Sequence, residues 1–300
     1  MSSPRPVAFL GLGAIGRPMA ARLAHATGIT LTVWNRSSDK AKTFAKEHGV
    51  RLAANPADAA RGADVVITCL PISADVDGLL DGPDGLLAGL AKGATLVDCT
   101  SGDPATSRRM AARLAERGVG YLDAPVSGGV SGAEQGILTV MVGGDESLLV
   151  RVRSVLETFG KKIVHCGPVG SGDALKAVNN ALLAVHIWSA AEGLAALTKA
   201  GVRPEIALDV INASSGRSNA SMNLFPERVL TRAFPRTFRL ALLDKDVGIA
   251  AGVTREQKVP APLLQLTAEM FRIAHTALGE EADHVEAVKL VEQWAATEIA

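Results

Sequence analysis

Charge of one sign is what this sequence lacks: 31 Lys and Arg balance 31 Asp and Glu, a formal net charge of zero. The broad electropositive field of a duplex nucleic-acid binder is absent, so no nucleic-acid partner is expected, and a ligand's charge must be met locally. Long apolar runs are scarce too. The longest strongly apolar uncharged stretch, 177–191, covers 15 residues and includes two Asn and a His, whereas a membrane-spanning helix needs about 20 predominantly apolar positions. No membrane segment is expected. The three cysteines, Cys69, Cys99 and Cys166, are odd in number, have no C-x-x-C spacing and each closes an apolar run, which reads as small buried residues rather than a disulfide framework. The six His include no pair at the H-E-x-x-H spacing, so neither a structural nor a catalytic metal is expected. The N-terminal MSSPRPVAFLGLG enters a strand-like run without the pattern of a signal peptide, which points to the cytoplasm.

What is present is enough apolar material, 48% of 300 residues, for two folded domains. Short apolar runs at Val7–Leu10, Leu31–Trp34, Val65–Leu70, Thr95–Asp98 and Tyr121–Asp123 alternate with segments of helical length, such as 14–26. Such alternation predicts a Rossmann-type, mostly parallel sheet with helices on both faces. Leu138–Val142 and Ile163–His165 read as two further strands, with a helix over Glu146–Thr158 between them. Past Gly172 the strand signal stops. Asp173–Ala200 has no Pro and one internal Gly, so it reads as one helix of about 28 residues, roughly 42 Å long. Apolar residues lie almost all round it, the pattern of a buried helix. Helical patterns at Pro204–Asn212, Pro226–Thr231, Leu240–Val253, Pro262–Leu278 and His284–Thr297 complete the chain. The expected fold class is α/β, with a dinucleotide-binding domain over 1–171 and an all-helical substrate and oligomerisation domain over 172–300, joined by the long helix.

The first strand runs directly into Gly11-Leu12-Gly13-Ala14-Ile15-Gly16 and then a helix. In that setting the first glycine permits the tight turn, the second lets backbone approach a pyrophosphate, and the third lets helix pack on strand. The helix N-terminus offers unpaired N–H groups to the phosphates. The residue that reads the adenosine ribose is expected about 20 positions further on, where Asn35-Arg36-Ser37 stands. Asn35 removes the charge that would repel a 2′-phosphate and Arg36 supplies a planar cation suited to one. NADP is favoured, with NAD possible if Arg36 only stacks on the adenine.

Three more segments fall at carboxyl ends of expected strands, where open α/β sheets bind ligands: Cys69-Leu70-Pro71, the run from Asp98 through Ser101 to Pro104, and the run from Asp123 through Ser127-Gly128-Gly129. Successive N–H groups and the hydroxyl of Ser127–Gly129 form a nest suited to a carboxylate. Lys176 sits near the start of the long helix with Asn180 at i+4 on the same face. A cation there opposes the helix dipole beside apolar neighbours, conditions that suit an acid–base lysine, although spacing alone equally fits a solvated one. Position does not decide between roles for Lys245 and Asp246, and the series Arg228, Arg232, Arg236, Arg239 reads as a solvated face.

Four segments, Phe9–Met19, Asp123–Gly129, Gly170–Asn180 and Lys245-Asp246, together resemble the β-hydroxyacid dehydrogenases, the group of 3-hydroxyisobutyrate dehydrogenase, tartronate semialdehyde reductase and the glyoxylate/succinic semialdehyde reductases. The second and third are specific to that family, and the four span nearly the whole chain. The resemblance implies hydride transfer between a nicotinamide and a short β-hydroxyacid or semialdehyde acid. It implies Lys176 as acid–base, Asn180 as its substrate-binding neighbour, and Ser127, Gly128 and Gly129 as the carboxylate cradle. Leu70, Pro71, Ser101 and Lys245 would contact the cofactor, and homodimers or homotetramers would form through the helical part. Thr100-Ser101 inverts the family's usual Ser-Thr order, leaving open which hydroxyl serves, and Asp173 and Asp244 are acidic where the family is usually neutral. Alternatives are an NADPH-dependent imine reductase, a group of the same fold that generally lacks a lysine at position 176, or a non-catalytic NADP-binding or redox-sensing protein.

Overall fold

The last four residues of strand β1 (Arg5–Leu10) form a continuous apolar run buried on both faces, the signature of a parallel strand covered by helices on either side. The computed structural model describes residues 4–300. It adds β2 (Ile29–Trp34), β3 (Arg51–Leu52), β4 (Val65–Thr68), β5 (Thr95–Asp98), β6 (Gly120–Asp123), β7 (Val126–Ser127), β8 (Leu138–Gly144) and β9 (Gly160–Gly167). These strands form one sheet in the order β3-β2-β1-β4-β5-β6-β8-β7, with β9 also paired to β8. Pairing is parallel from β3 through β6 and between β8 and β9, and antiparallel where β8 meets β6 and β7. The mostly parallel Rossmann-type sheet expected from the sequence is therefore observed.

Side-chain alternation along the central strands divides the core. Val7, Phe9, Ile67 and Val97 pack one face of the sheet, while Ala8, Leu10, Val66 and Leu96 pack the other, as the period of two requires. Register places Trp34, Leu10, Thr68, Asp98 and Asp123 as successive partners across five strands. Their carboxyl ends thus lie in one row, with the strand order reversing between β1 and β4, where α/β sheets place their ligands. The strands β3 and β7, two residues each, have no apolar run to announce them. Residues 69 and 70 leave the sheet rather than extend β4 to Leu70, because the Leu70 N–H donates to the Thr100 hydroxyl at 3.0 Å.

The chain divides into two compact units, the first ending at Lys176 and the second beginning at Ala177. The long helix, Ser171–Lys199, supplies the central stripe of the second: Ala177, Ala181, Ala184, Ile187, Trp188, Ala191 and Leu194 join Phe225 and Phe271 in its core. The all-round burial expected of this helix is not found. Leu175 and Leu182 are nearly half exposed, since alanines on one side suffice to pack its neighbours. Its 29 residues are long and apolar enough to cross a membrane, contrary to the expectation from run length. Its buried stripe instead packs the helical core, and Lys176, Asn180, His186 and Glu192 interrupt its apolar surface.

The other helices of this unit run over Pro204–Ala213, Leu240–Glu256, Pro262–Leu278 and Val288–Ala295. The expected helix at Pro226–Thr231 is instead a π-helix over Ala220–Val229 with Pro226 inside it. Pro226 has no N–H to donate, and the wider winding lets the Leu230 N–H reach the Phe225 carbonyl at 3.0 Å. The last helix opens with a 3₁₀ turn, His284–Ala287, closed by a capping box between Asp283 and Glu286. Ile67 is fully buried in β4, so Ile67→Ala is expected to destabilise the sheet unit by about 2–5 kcal/mol, measured by denaturant unfolding; an unchanged midpoint would contradict the packing described.

Candidate functional site

The loop Gly11–Gly16 turns sharply because its glycines touch other backbone. A Cβ on Gly11, whose φ is +106°, would stand 2.3 Å from the Cys69 carbonyl oxygen, and one on Gly16 would stand 2.0 Å from the Gly11 carbonyl oxygen. Gly13 faces open space instead, leaving its backbone accessible to a ligand. The helix Gly16–Ala24 follows with no acidic residue in its first turn, so nothing offsets its partial positive charge toward phosphate. Asn35 braces this loop: its Oδ1 accepts the Leu12 N–H at 2.8 Å and its Nδ2 donates to the Ser37 carbonyl at 3.1 Å. Arg36 and Ser37 are exposed, the Arg36 side chain 87% accessible with Nη1 3.9 Å from the Asp75 carboxylate. The loop therefore fits a dinucleotide pyrophosphate, with an exposed guanidinium beyond Asn35.

At the ends of β4 and β5 the hydroxyls divide their work. Thr100 is buried and its Oγ1 accepts the Leu70 N–H, while Ser101 is partly exposed. Asp98 accepts from the Thr68 hydroxyl at 2.8 Å and the Thr100 N–H at 3.0 Å, and burial pushes its carboxyl up to about 6. Ser127, Gly128 and Gly129 follow β6, with both glycines exposed and at positive φ. Asp123 is fully buried and accepts from the Gly170 N–H at 2.7 Å and the Asp173 N–H at 3.0 Å. Those two bonds fasten the first turn of the long helix to the end of β6. Lys176, one turn later, is only 9% exposed, which excludes the solvated lysine that spacing alone permitted.

Within the helical unit, Asn180 is buried, and its Nδ2 donates to Asp246 Oδ2 at 2.6 Å. Asp246 Oδ1 also lies 3.0 Å from the Lys245 ammonium. Asp246 was visible in the sequence beside Lys245, but its hold on Asn180 spans 66 positions and has no sequence signal. Asp244 faces His275 instead, Oδ2 to Nδ1 at 2.8 Å. The arginine series is a solvated face only in part: Arg228 pairs with the buried Asp283 and Arg232 binds the buried Glu292 with both Nη atoms, whereas Arg236 pairs with Glu281 in solvent. All three cysteines are free, Cys99 buried and the other two partly so. No cluster of His, Cys, Asp and Glu suited to a metal occurs among the described residues.

Two family models cover the chain: the NAD binding domain of 6-phosphogluconate dehydrogenase matches residues 6–167, and the NAD-binding domain of NADP-dependent 3-hydroxyisobutyrate dehydrogenase matches 170–291. The chain is 36% identical to 2-(hydroxymethyl)glutarate dehydrogenase of Eubacterium barkeri, covering 96% of this chain and 95% of that protein. It is 37% identical to 3-hydroxyisobutyrate dehydrogenase of Pseudomonas aeruginosa, over 91% and 93%. Among solved structures, 3-hydroxyisobutyrate dehydrogenase of Mycobacterium tuberculosis with L-serine superposes at a TM-score of 0.87 with 32% identity, over 96% and 99% of the two chains. An imine reductase of Streptomyces aurantiacus, at 20% identity, a TM-score of 0.61 and coverage of 96% and 99%, shares the fold alone.

The Asp244 contact has a measurable consequence. Its hydrogen bond holds the His275 imidazolium above the ordinary value of 6.5. The resulting stabilisation is complete below about pH 6.5 and is lost as pH rises through the raised value. In an NMR titration, Asp244→Asn is expected to bring His275 back toward 6.5; an unmoved midpoint would exclude the pairing.

Proposed function

This chain belongs to the β-hydroxyacid dehydrogenase family, NAD(P)-dependent oxidoreductases, and we propose that it transfers a hydride reversibly between a nicotinamide and a short hydroxyacid or its semialdehyde or keto acid. The observation that carries this reading is Lys176, a buried lysine one turn beyond the N–H groups that anchor its helix by donating to Asp123. A bound nicotinamide supplies the hydride in reduction and accepts it in oxidation. Lys176 Nζ gives its proton to the substrate oxygen in reduction and takes it back in oxidation. Asn180, one helical turn on, bonds the same oxygen through its amide, which Asp246 holds in orientation. The N–H groups of Ser127, Gly128 and Gly129 hold the substrate carboxylate and so fix the carbonyl carbon for attack.

The cofactor is assigned to Gly11, Leu12, Gly13, Ala14, Ile15 and Gly16 for the pyrophosphate, Asn35, Arg36 and Ser37 for the adenosine ribose, and Leu70, Pro71, Ser101 and Lys245 for the remainder. Ser101 is preferred to Thr100 because it is partly exposed whereas Thr100 is buried. Exposure of the Arg36 guanidinium, with an amide rather than a carboxylate at 35, supports NADP over NAD. The assignment of residues 1–171 to cofactor binding and 172–300 to substrate binding and assembly belongs to the same reading. A homodimer or homotetramer joined through the helical unit is supported by exposed Leu182, Val210, Leu263 and Leu266, and a cytoplasmic location belongs to the same reading. The retained lysine weighs against the imine reductase and non-catalytic alternatives.

NADPH and NADH oxidation against glyoxylate, succinic semialdehyde, tartronate semialdehyde and methylmalonate semialdehyde tests the reading. Lys176→Ala is expected to lower kcat by about 10²–10⁴-fold with cofactor affinity kept; undiminished turnover would remove Lys176 from the chemistry. Arg36→Ala is expected to weaken NADP binding about 10-fold or more while changing NAD binding little, measured by fluorescence titration. Equal effects on both nucleotides would overturn the NADP preference.

A further inference from the structure

The strands whose carboxyl ends carry the phosphate loop, Leu70 and Ser101 start around a cavity of their own. Arg5 opens β1, Val65 opens β4 and Thr95 opens β5. Between these strand starts and the helix Glu146–Leu156 lies a cavity of about 180 Å³, lined also by Asp64, Arg151 and Val152. Arg151 Nη2 donates to the Thr95 hydroxyl at 2.8 Å and to the Gly93 carbonyl at 3.4 Å, and Arg5 Nη1 donates to the Arg151 carbonyl at 2.7 Å. Neutral acceptors alone therefore hold two guanidinium groups at one cavity; neither has a carboxylate partner among the described residues. Each guanidinium carries five N–H donors, so most of them stay available. Thr95 is only 1% exposed, and its oxygen accepts from Arg151, yet nothing among the described residues accepts its hydroxyl proton.

This donor set selects its ligand by charge and shape. The planar fork of a guanidinium matches the two oxygens of a carboxylate, and the Thr95 hydroxyl supplies a further donor. Asp64 limits the charge that fits: two cations against one anion leave the lining with a single net positive charge. One carboxylate neutralises that, whereas a dianion sets its second charge beside Asp64. Val65 and Val152, each 1% exposed, add apolar lining suited to a short alkyl tail. The chain as a whole has no net charge, so no general field gathers anions here, and any capture is the work of these side chains.

We propose that the cavity between Arg5, Thr95 and Arg151 is a binding site for a short aliphatic monocarboxylate, its two oxygens on the guanidinium groups and the Thr95 hydroxyl. It lies at the opposite ends of the strands from the carboxylate cradle assigned to Ser127–Gly129. The inference does not depend on the hydride-transfer reading, since it concerns binding alone.

Phenylglyoxal labelling of arginines in the full chain, read residue by residue by mass spectrometry, tests it without need of turnover. Propionate is titrated against propylammonium chloride and inorganic phosphate at matched ionic strength. Propionate is expected to slow labelling of Arg5 and Arg151 along one shared saturating curve, by about threefold or more, while exposed Arg153 on the same helix keeps its rate. Thr95→Val is expected to raise the midpoint of that curve by about fivefold, and Arg151→Ala to abolish protection at Arg5. Asp64→Asn is expected to let phosphate protect as well. Melting temperatures show that the variants fold, and should Arg151→Ala not fold, the shape-conserving Thr95→Val carries the test. Equal slowing at Arg153, or no slowing at Arg5 and Arg151, removes the site. Phosphate protecting the unsubstituted protein as well as propionate does removes the monocarboxylate assignment. A midpoint unmoved by Thr95→Val also overturns the proposal, because the hydroxyl would then take no part.

Discussion

The two backbone N–H groups that Asp123 accepts hold together everything this molecule does with its long helix. A carboxylate buried at the end of β6 needs donors, and the first turn of a helix has N–H groups with no partner of their own. Each satisfies the other. The result is a helix whose starting point is fixed to the row of strand ends that also carries the phosphate loop, so that Lys176 inherits its place from the sheet. Parallel pairing provides the other half of that arrangement, since it brings the carboxyl ends of β1, β2, β4, β5 and β6 into one row.

The sheet was legible because burial on both faces forces continuous apolar runs, and Val65, Val66, Ile67 or Leu96, Val97 cannot be mistaken for loop. The glycine loop was legible because its spacing follows from steric contact, not from preference: Gly11 and Gly16 touch backbone, whereas Gly13 does not. Two-residue strands such as β3 are fixed by their neighbours and leave no pattern. The π-helix around Pro226 escaped notice for a related reason. A proline announces where a regular ladder fails, but whether the chain then stops or winds wider depends on packing around Phe225 and Val229.

At the site, the sequence identified residues and the structure identified their partners. Lys176 and Asn180 share a face by helical spacing, which a sequence displays. That Asn180 is held by Asp246, Asp173 by Ser107, and Thr100 by Leu70 depends on contacts between positions 30 to 66 apart. Residue type hints at such contacts only weakly, because a buried Asp and an exposed one look alike until the fold is known. The arginine series illustrates the opposite error. Its regular spacing looked like a solvated face, yet the buried Asp283 and Glu292 come from the far C-terminal segment to meet Arg228 and Arg232.

Asn35 constrains how nucleotide choice in this protein can change. Its amide accepts from the loop on one side and donates to the Ser37 carbonyl on the other, so it stitches together the two segments that would face the adenosine half of a cofactor. Aspartate in its place would keep the first bond and set a negative oxygen against the carbonyl. Redesign toward the unphosphorylated nucleotide therefore has an open route through Arg36 and Ser37 and a blocked one through 35. A lineage drifting between the two cofactors would be expected to vary the former pair first and to keep the amide as part of the scaffold.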